Sequence, residues 1–91
     1  MRRGTGRPVI GFEESAFADY VQWAREDRKI FNKINTLITE ISRDPFRGTG
    51  KPEPLKGDWT GCWSRRITQE HRLIYRVFPD HIVIASCKYH Y

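Results

Sequence analysis

The alternation of apolar and polar residues predicts two consecutive amphipathic helices near the start of the chain. In the first, Glu13 to Ser15 suit a helix N-terminus. Four residues then follow the i, i+3, i+4, i+7 spacing of one helix face: Phe17, Tyr20, Val21 and Ala24. In the second, Asp27 is the predicted N-cap, and "RDPF" predicts the end, since proline disfavours helical backbone in the residue before it. Its apolar stripe is Ile30, Phe31, Ile34, Leu37, Ile38 and Ile41.

Strand-like segments flank the two helices. "PVIGF" precedes them, and "GCWSRRIT", "HRLIYRVF" and "HIVIASCKYH" follow, joined by the short connectors "QE" and "PD". Between 45 and 58 lies a Pro- and Gly-rich loop, with a short strand predicted at "EPLK". This order predicts an α+β fold, β-α-α followed by an antiparallel meander. Both helices would pack on one face of a twisted antiparallel sheet and leave the other face to solvent or a ligand.

Length and charge narrow the class of protein. The 91 residues predict one domain, residues 9–91, preceded by a flexible basic tail, residues 1–8. The formal net charge of +5 favours an anionic partner such as RNA, DNA or an acidic protein. No apolar run is long enough for a membrane span. We interpret Cys62 and Cys87 as reduced thiols of a cytoplasmic protein.

Several arginines fall within the predicted strands, so strand alternation determines which face of the sheet carries their positive charges. Strand alternation directs Ser64 and Arg66 to one face and Trp63 and Arg65 to the other. If the first hairpin loop has an odd number of residues, Arg66 and Arg72 share a face. A phosphodiester between the two guanidinium groups would relieve their repulsion. The alternative is that these arginines only keep a sheet face soluble.

Three residue types could together cleave RNA through its own 2′-hydroxyl. That reaction needs a proton acceptor, a cation for the charged phosphorane and a proton donor for the leaving oxygen. Glu53, held between two prolines, Arg72, and His90 near the chain end could fill these roles. Lys88 shares the even parity of His90 in the last predicted strand. The alternative for the chain end is that it frays in solvent.

Aromatic residues near these cations would suit unpaired bases. Trp63 and Tyr91 could stack on bases, although packing in the core is an equal alternative for Trp63. His71 and His81 fall at hairpin turns, where we expect surface residues. No cluster of Cys, His and Asp has the spacing of a metal site, so no metal and no cofactor is expected.

Several motifs together resemble one family. The segments are "EESAFADYVQW", "KINTLI", "DPF.G.GKPEPLK", "G.WSRRI...HRLIY" and the terminal "YHY". In order and spacing they are similar to the YoeB (Txe) toxins of bacterial type II toxin-antitoxin systems, within the RelE/ParE superfamily. The resemblance extends from about Val9 to Tyr91. It implies a RelE-like, microbial-RNase-like fold.

The resemblance implies an mRNA interferase that cuts mRNA in the ribosomal A site without a metal and leaves a 2′,3′-cyclic phosphate or a 3′-phosphate. Glu53 matches the general base, Arg72 the residue that stabilises the phosphate, His90 the general acid and Tyr91 a supporting residue. We expect substrate contacts from five residues: Lys56, Trp63, Arg65, Arg66 and Lys88. The implied partners are a YefM-like antitoxin with an acidic, partly disordered segment, the 70S ribosome with its mRNA, and a second copy in a homodimer, with no membrane.

Two other functions compete with this hypothesis. A non-catalytic module could occupy RNA or the ribosome through the basic face, in which case growth inhibition would survive the change His90→Gln. A ParE-like inhibitor of DNA gyrase could share the fold, but inhibition of gyrase needs no acid-base set such as Glu53, Arg72 and His90.

Overall fold

The computed structural model describes residues 7–89 and contains every predicted helix and strand. In chain order the elements are β1 (Val9–Phe12), α1 (Glu14–Glu26), α2 (Arg28–Arg43), β2 (Glu53–Pro54), a 3-10 helix (Gly57–Trp59), β3 (Cys62–Arg66), β4 (Arg72–Val77) and β5 (His81–Ser86). The predicted α+β order is therefore confirmed. Of the predicted tail, only residues 7 and 8 are described. The predictions on His90 and Tyr91 lie outside the described residues.

The five strands form one sheet in the order β1-β5-β4-β3-β2. Strands β2 to β5 pair with one another in antiparallel fashion, as the meander predicts. However, β1 joins the far edge by pairing parallel to β5, so the sheet is mixed and not wholly antiparallel. The pairing is long-range, because β1 is the first strand of the chain and β5 is the last.

The main core lies between the two helices and one face of the sheet. Ile34, Leu37 and Ile41 of α2 are fully buried, as the predicted stripe requires. The sheet contributes Leu73 and Ile84, among others, to the same cluster. The helix begins at the predicted N-cap, where the Asp27 carboxylate accepts a hydrogen bond from the Ile30 N–H at 3.2 Å.

The buried face of α1 differs from the predicted face. The ring of Phe17 is 50% exposed, whereas Ala16 and Trp23 are buried. The indole N–H of Trp23 donates to the Cys87 carbonyl at 3.0 Å, which fixes the helix against the end of β5. Trp23 therefore enters the core in place of Phe17, whereas Tyr20 of the predicted face does pack against the core.

No helix within residues 7–89 is long and apolar enough to cross a membrane.

Candidate active site on the open sheet face

The face of the sheet opposite the helices carries the predicted catalytic carboxylate and two of the predicted cations. We call it the open face and define it by Glu53, Ser64, Arg66, Arg72 and Arg76. The register places Glu53 opposite Ser64 and Arg66 directly opposite Arg72. Paired residues point to the same side of a sheet, so strand pairing alone brings these side chains together.

Glu53 is held by backbone constraints on both sides. Pro52 precedes it, Pro54 follows it, and β2 consists of only Glu53 and Pro54. The next residue, Leu55, is buried, and its N–H donates to the Cys62 carbonyl at 2.9 Å. The Glu53 side chain is itself exposed and can reach a substrate. It is a diagonal neighbour of Arg66 across β2 and β3, a position with a Cβ separation of about 7 Å.

A small apolar cluster supports this part of the open face. Leu55, Cys62 and Ile74 are buried together, with Trp59 and Ala85 packed against them. The irregular segment after β2 is therefore pinned to the sheet by its own apolar side chains. Lys56 is exposed immediately beyond the buried Leu55, at the start of the 3-10 helix.

Arg66 and Arg72 form a cross-strand pair of like charges. Directly opposed residues in an antiparallel sheet have Cβ atoms about 5 Å apart, so the pair raises the local positive potential. The Arg72 Nη1 atom donates to the carbonyls of Thr68 at 2.9 Å and Gln69 at 3.3 Å. These hydrogen bonds use one nitrogen of the guanidinium and orient the group at the β3–β4 turn. The pair is a suitable site for a phosphate group.

The segment after β5 approaches Arg72 at Tyr89. Beyond β5 the backbone continues beside β4, and the Arg72 N–H donates to the Tyr89 carbonyl at 3.1 Å. Lys88 places its ammonium group 5.6 Å from the centre of the Trp23 ring and 5.5 Å from that of Tyr89. The predicted substrate contact Lys88 thus lies beside α1, at the end of the strand that leads to His90.

Two predicted substrate contacts do not lie on the open face. Arg65 is fully buried on the helix-covered side, where its donors are used by Glu40, Tyr75 and loop carbonyls. It has no exposed surface with which to contact RNA. Trp63 also faces that side, where its ring packs 4.9 Å from Phe46 and against the main core. Strand alternation explains both corrections, because residues 63 and 65 have the opposite parity to residues 64 and 66.

The sequence prediction for His71 was wrong. A histidine at a hairpin turn suggests a surface residue, but His71 is only 7% exposed. Its Nδ1 atom accepts a hydrogen bond from the Tyr89 N–H at 2.7 Å. Strand alternation could have indicated this, because His71 has the same odd-numbered spacing as Leu73 and Tyr75, whose side chains point into the core. His81 is half-exposed, as expected, and pairs with Asp80 at 2.7 Å.

The buried thiol of Cys87 stays protonated at neutral pH and is therefore a poor nucleophile. Burial raises its pKa to about 12, and the nearby carboxylate of Asp19 adds to the effect. Cys62 is buried as well, and both cysteines are free thiols. Within residues 7–89 no three side chains of His, Cys, Asp or Glu form a group that could hold a metal ion.

Comparisons with known proteins agree on one family. Residues 12–91 match the family described as YoeB-like toxin of bacterial type II toxin-antitoxin system. The chain is 55% identical to the toxin YoeB of Streptomyces coelicolor over an alignment of 82 residues. This alignment covers 90% of this chain and 98% of that protein.

Two solved structures from Staphylococcus aureus share the fold. The structure of the YoeB dimer has a TM-score of 0.87 and 51% identity, and it covers 93% of this chain and 99% of that one. The toxin chain of a YoeB-YefM complex has a TM-score of 0.85 and 50% identity, again with 93% and 99% coverage.

Proposed function

Because this chain belongs to the YoeB family of toxins of bacterial type II toxin-antitoxin systems, we propose that it is a ribosome-dependent mRNA interferase. It cleaves mRNA in the ribosomal A site, inhibits translation and is neutralised by a YefM-like antitoxin. One observation carries the proposal: Glu53 stands on the same sheet face as the opposed pair Arg66 and Arg72. That face combines a proton acceptor with a site for a phosphate.

The first step is attack by the substrate's own 2′-hydroxyl. Glu53 accepts the hydroxyl proton, and the 2′-oxygen forms a bond to the adjacent phosphorus. Arg72 stabilises the negative charge that accumulates on the phosphorane, because its guanidinium is already oriented by the Thr68 carbonyl. Arg66 adds positive charge at the same face, and it holds the RNA backbone together with the exposed Lys56.

The second step is departure of the 5′-oxygen. The bond from phosphorus to this oxygen breaks, and His90 donates a proton to it as the general acid. The products are a 2′,3′-cyclic phosphate on one fragment and a 5′-hydroxyl on the other, and water can open the cyclic phosphate to a 3′-phosphate. Tyr91 supports the site, and Lys88 contacts the RNA near the chain end. These steps use only side chains and need no metal.

The partners follow from the charge and from the relatives. A toxin of this family from Staphylococcus aureus is described in complex with YefM, and another structure is described as a dimer. We propose the same two kinds of partner here. An acidic, partly disordered antitoxin segment would be attracted to a surface of net charge +5.

The test is cleavage of a defined mRNA on programmed ribosomes, with analysis of the new ends. Wild type should cut within the A-site codon and leave a cyclic phosphate or a 3′-phosphate. The variants Glu53→Gln, Arg72→Gln and His90→Gln should each slow the chemical step by about 10²-fold or more, the usual size of a lost acid, base or charge-stabilising group. Arg76→Gln is the matched control, since Arg76 lies on the same strand and face and is exposed.

Two results would contradict the proposal. Stalled translation with intact mRNA, for the wild type, would make the open face a binding surface without catalysis. Equal loss of activity in Arg76→Gln and Arg72→Gln would show that overall charge matters and that Arg72 has no special role. A supercoiling assay with DNA gyrase tests the remaining alternative, and we expect no inhibition.

A further inference from the structure

A buried histidine outside the proposed catalytic set holds the segment that leads to the chain end. His71 stands at the start of β4, directly before Arg72. Its ring packs edge-on to Trp23 of α1, with ring centres 4.9 Å apart, and lies 5.3 Å from the ring of Tyr89. The imidazole thus fills the space between a helix and the residue that precedes His90.

The hydrogen bond of His71 defines which nitrogen carries the proton. Its Nδ1 atom accepts from the Tyr89 N–H at 2.7 Å, so Nδ1 has no proton of its own. The neutral ring therefore carries its proton on Nε2. A carboxylate oxygen of Glu70 lies 3.8 Å from Nε2, and its negative charge favours the tautomer with the proton on Nε2.

Tyr89 has a backbone conformation that needs support. Its φ angle is 61°, in the left-handed region that residues other than glycine seldom adopt. Both peptide groups that flank its Cα are held. The N–H bonds to the His71 ring, and the carbonyl accepts from the N–H of Arg72 at 3.1 Å. His71, directly before β4, and Arg72, the first residue of β4, therefore fix the backbone turn at Tyr89.

We propose that His71 is a positioning residue for the chain end. Its unprotonated Nδ1 stabilises the left-handed turn at Tyr89, the residue that directly precedes His90. The inference rests on the proposed function, in which His90 donates the proton to the leaving oxygen. Arg72 holds the same turn through its backbone N–H, so the neighbour of the proposed acid is tied to the residue that we propose stabilises the phosphate.

Packing alone would not require an acceptor at this position. A leucine would fill much of the same space between Trp23 and Tyr89, but it would leave the Tyr89 N–H without its present partner. The Oδ1 atom of an asparagine lies at about the same distance from the backbone as Nδ1 of a histidine and can accept the same hydrogen bond. The variants His71→Leu and His71→Asn therefore separate positioning from packing.

The first experiment measures single-turnover cleavage on programmed ribosomes for wild type and these two variants. We expect His71→Leu to lower the maximal cleavage rate by about 10- to 100-fold with little change in half-saturating concentration, because a small displacement of a catalytic group slows chemistry by such factors. His71→Asn should recover most of the rate. His81→Leu is the control, since His81 lies at the other hairpin and contacts Asp80.

The second experiment needs neither a variant nor activity. In the free wild-type protein, ¹⁵N NMR of the His71 ring should show an unprotonated Nδ1 and a protonated Nε2, and the Tyr89 amide should exchange slowly with solvent. A protonated Nδ1, or exchange of the Tyr89 amide as fast as in an unstructured peptide, would overturn the inference even if His71→Leu does not fold.

The outcomes distinguish the inference from the proposed function. If wild type does not cleave, the proposed function fails, whereas the NMR experiment still decides whether His71 holds Tyr89. If wild type cleaves and folded His71→Leu matches it, the inference alone fails. Equal rate losses in folded His71→Leu and His71→Asn would also overturn it, since they would assign His71 to packing only.

Discussion

At the scale of single residues, Arg65 organises the loop that leads to Glu53. Its guanidinium donates to the carbonyls of Asp44 and Arg47, both at 2.8 Å, and to the Glu40 carboxylate at 3.1 Å. Hydrogen bonds from the Thr49 hydroxyl and N–H, with the charge of Arg65, hold the pKa of Glu40 below its usual value. The buried guanidinium thus provides hydrogen-bond donors for loop carbonyls that would otherwise be unpaired inside the protein.

Replacement of Arg65 should therefore destabilise the protein strongly. We expect Arg65→Met to lower the free energy of unfolding by about 2 to 4 kcal/mol, because the carbonyls of Asp44 and Arg47 would lose their charged donor inside the protein. Urea denaturation followed by circular dichroism measures this. Arg76→Met, at an exposed arginine of β4, is the control and should change stability by less than about 1 kcal/mol. Similar losses in both variants would show that Arg65 has no special structural role.

At the scale of secondary structure elements, the junction of the two helices depends on Asp27. Its backbone N–H donates to the Trp23 carbonyl at the end of α1, and its carboxylate caps the first turn of α2. The residue has an extended backbone, with φ −150° and ψ 94°, which separates the two helices. The cap therefore sets where α2 begins and, with it, which of its residues face the sheet.

Loss of this cap should have a moderate cost. We expect Asp27→Ala to reduce the free energy of unfolding by about 1 kcal/mol, because the Ile30 N–H loses its acceptor. Asp27→Asn retains an oxygen at the same position and should cost much less. Thermal and urea unfolding of the two variants measure the difference. If both lose the same amount, the charge of Asp27 matters and the hydrogen bond does not.

At the scale of the whole molecule, a buried thiol joins α1 to the end of β5. The Cys87 Sγ atom lies 3.5 Å from the Ala16 carbonyl, to which it donates. Burial raises its pKa from 9.0 to about 12, since the thiolate would lose its hydration in the core. In the unfolded chain the same thiol ionises at its ordinary pKa. Folding therefore suppresses an ionisation, and this makes stability depend on alkaline pH.

We expect the free energy of unfolding to decrease as pH rises from about 9 to about 12. In this window the unfolded chain has lost the Cys87 proton while the folded protein retains it, so rising pH favours unfolding. The slope from one thiol is at most about 1.4 kcal/mol per pH unit. Urea denaturation at several pH values measures it.

Cys87→Ala is the control for this pH dependence and should give a shallower slope. Some slope should remain, because burial also raises the pKa of Tyr75. An unchanged slope in Cys87→Ala would show that the thiol does not contribute.

The sequence predicted those parts of the fold and the site that depend on local spacing. The stripe of α2, its Asp27 cap and its end before Pro45 were confirmed, because each depends on residues within a few positions of one another. The sequence placed Arg66 and Arg72 on a shared face only if the hairpin loop had an odd number of residues, and the structure meets that condition because the two residues pair directly across five intervening positions. The family was also recognisable, since its motifs extend along nearly the whole chain.

Only the tertiary structure decided contacts between residues distant in sequence. Whether β1 pairs parallel to β5, and whether Trp23 or Phe17 enters the core, depends on packing that no local pattern contains. The burial of Arg65 depends on a loop that brings carbonyl groups to meet it. His71 appeared to be a surface residue until the chain end, 18 residues later, supplied its partner. Local spacing fixes which way a side chain points, but the neighbours that surround it are fixed only when the whole chain has folded.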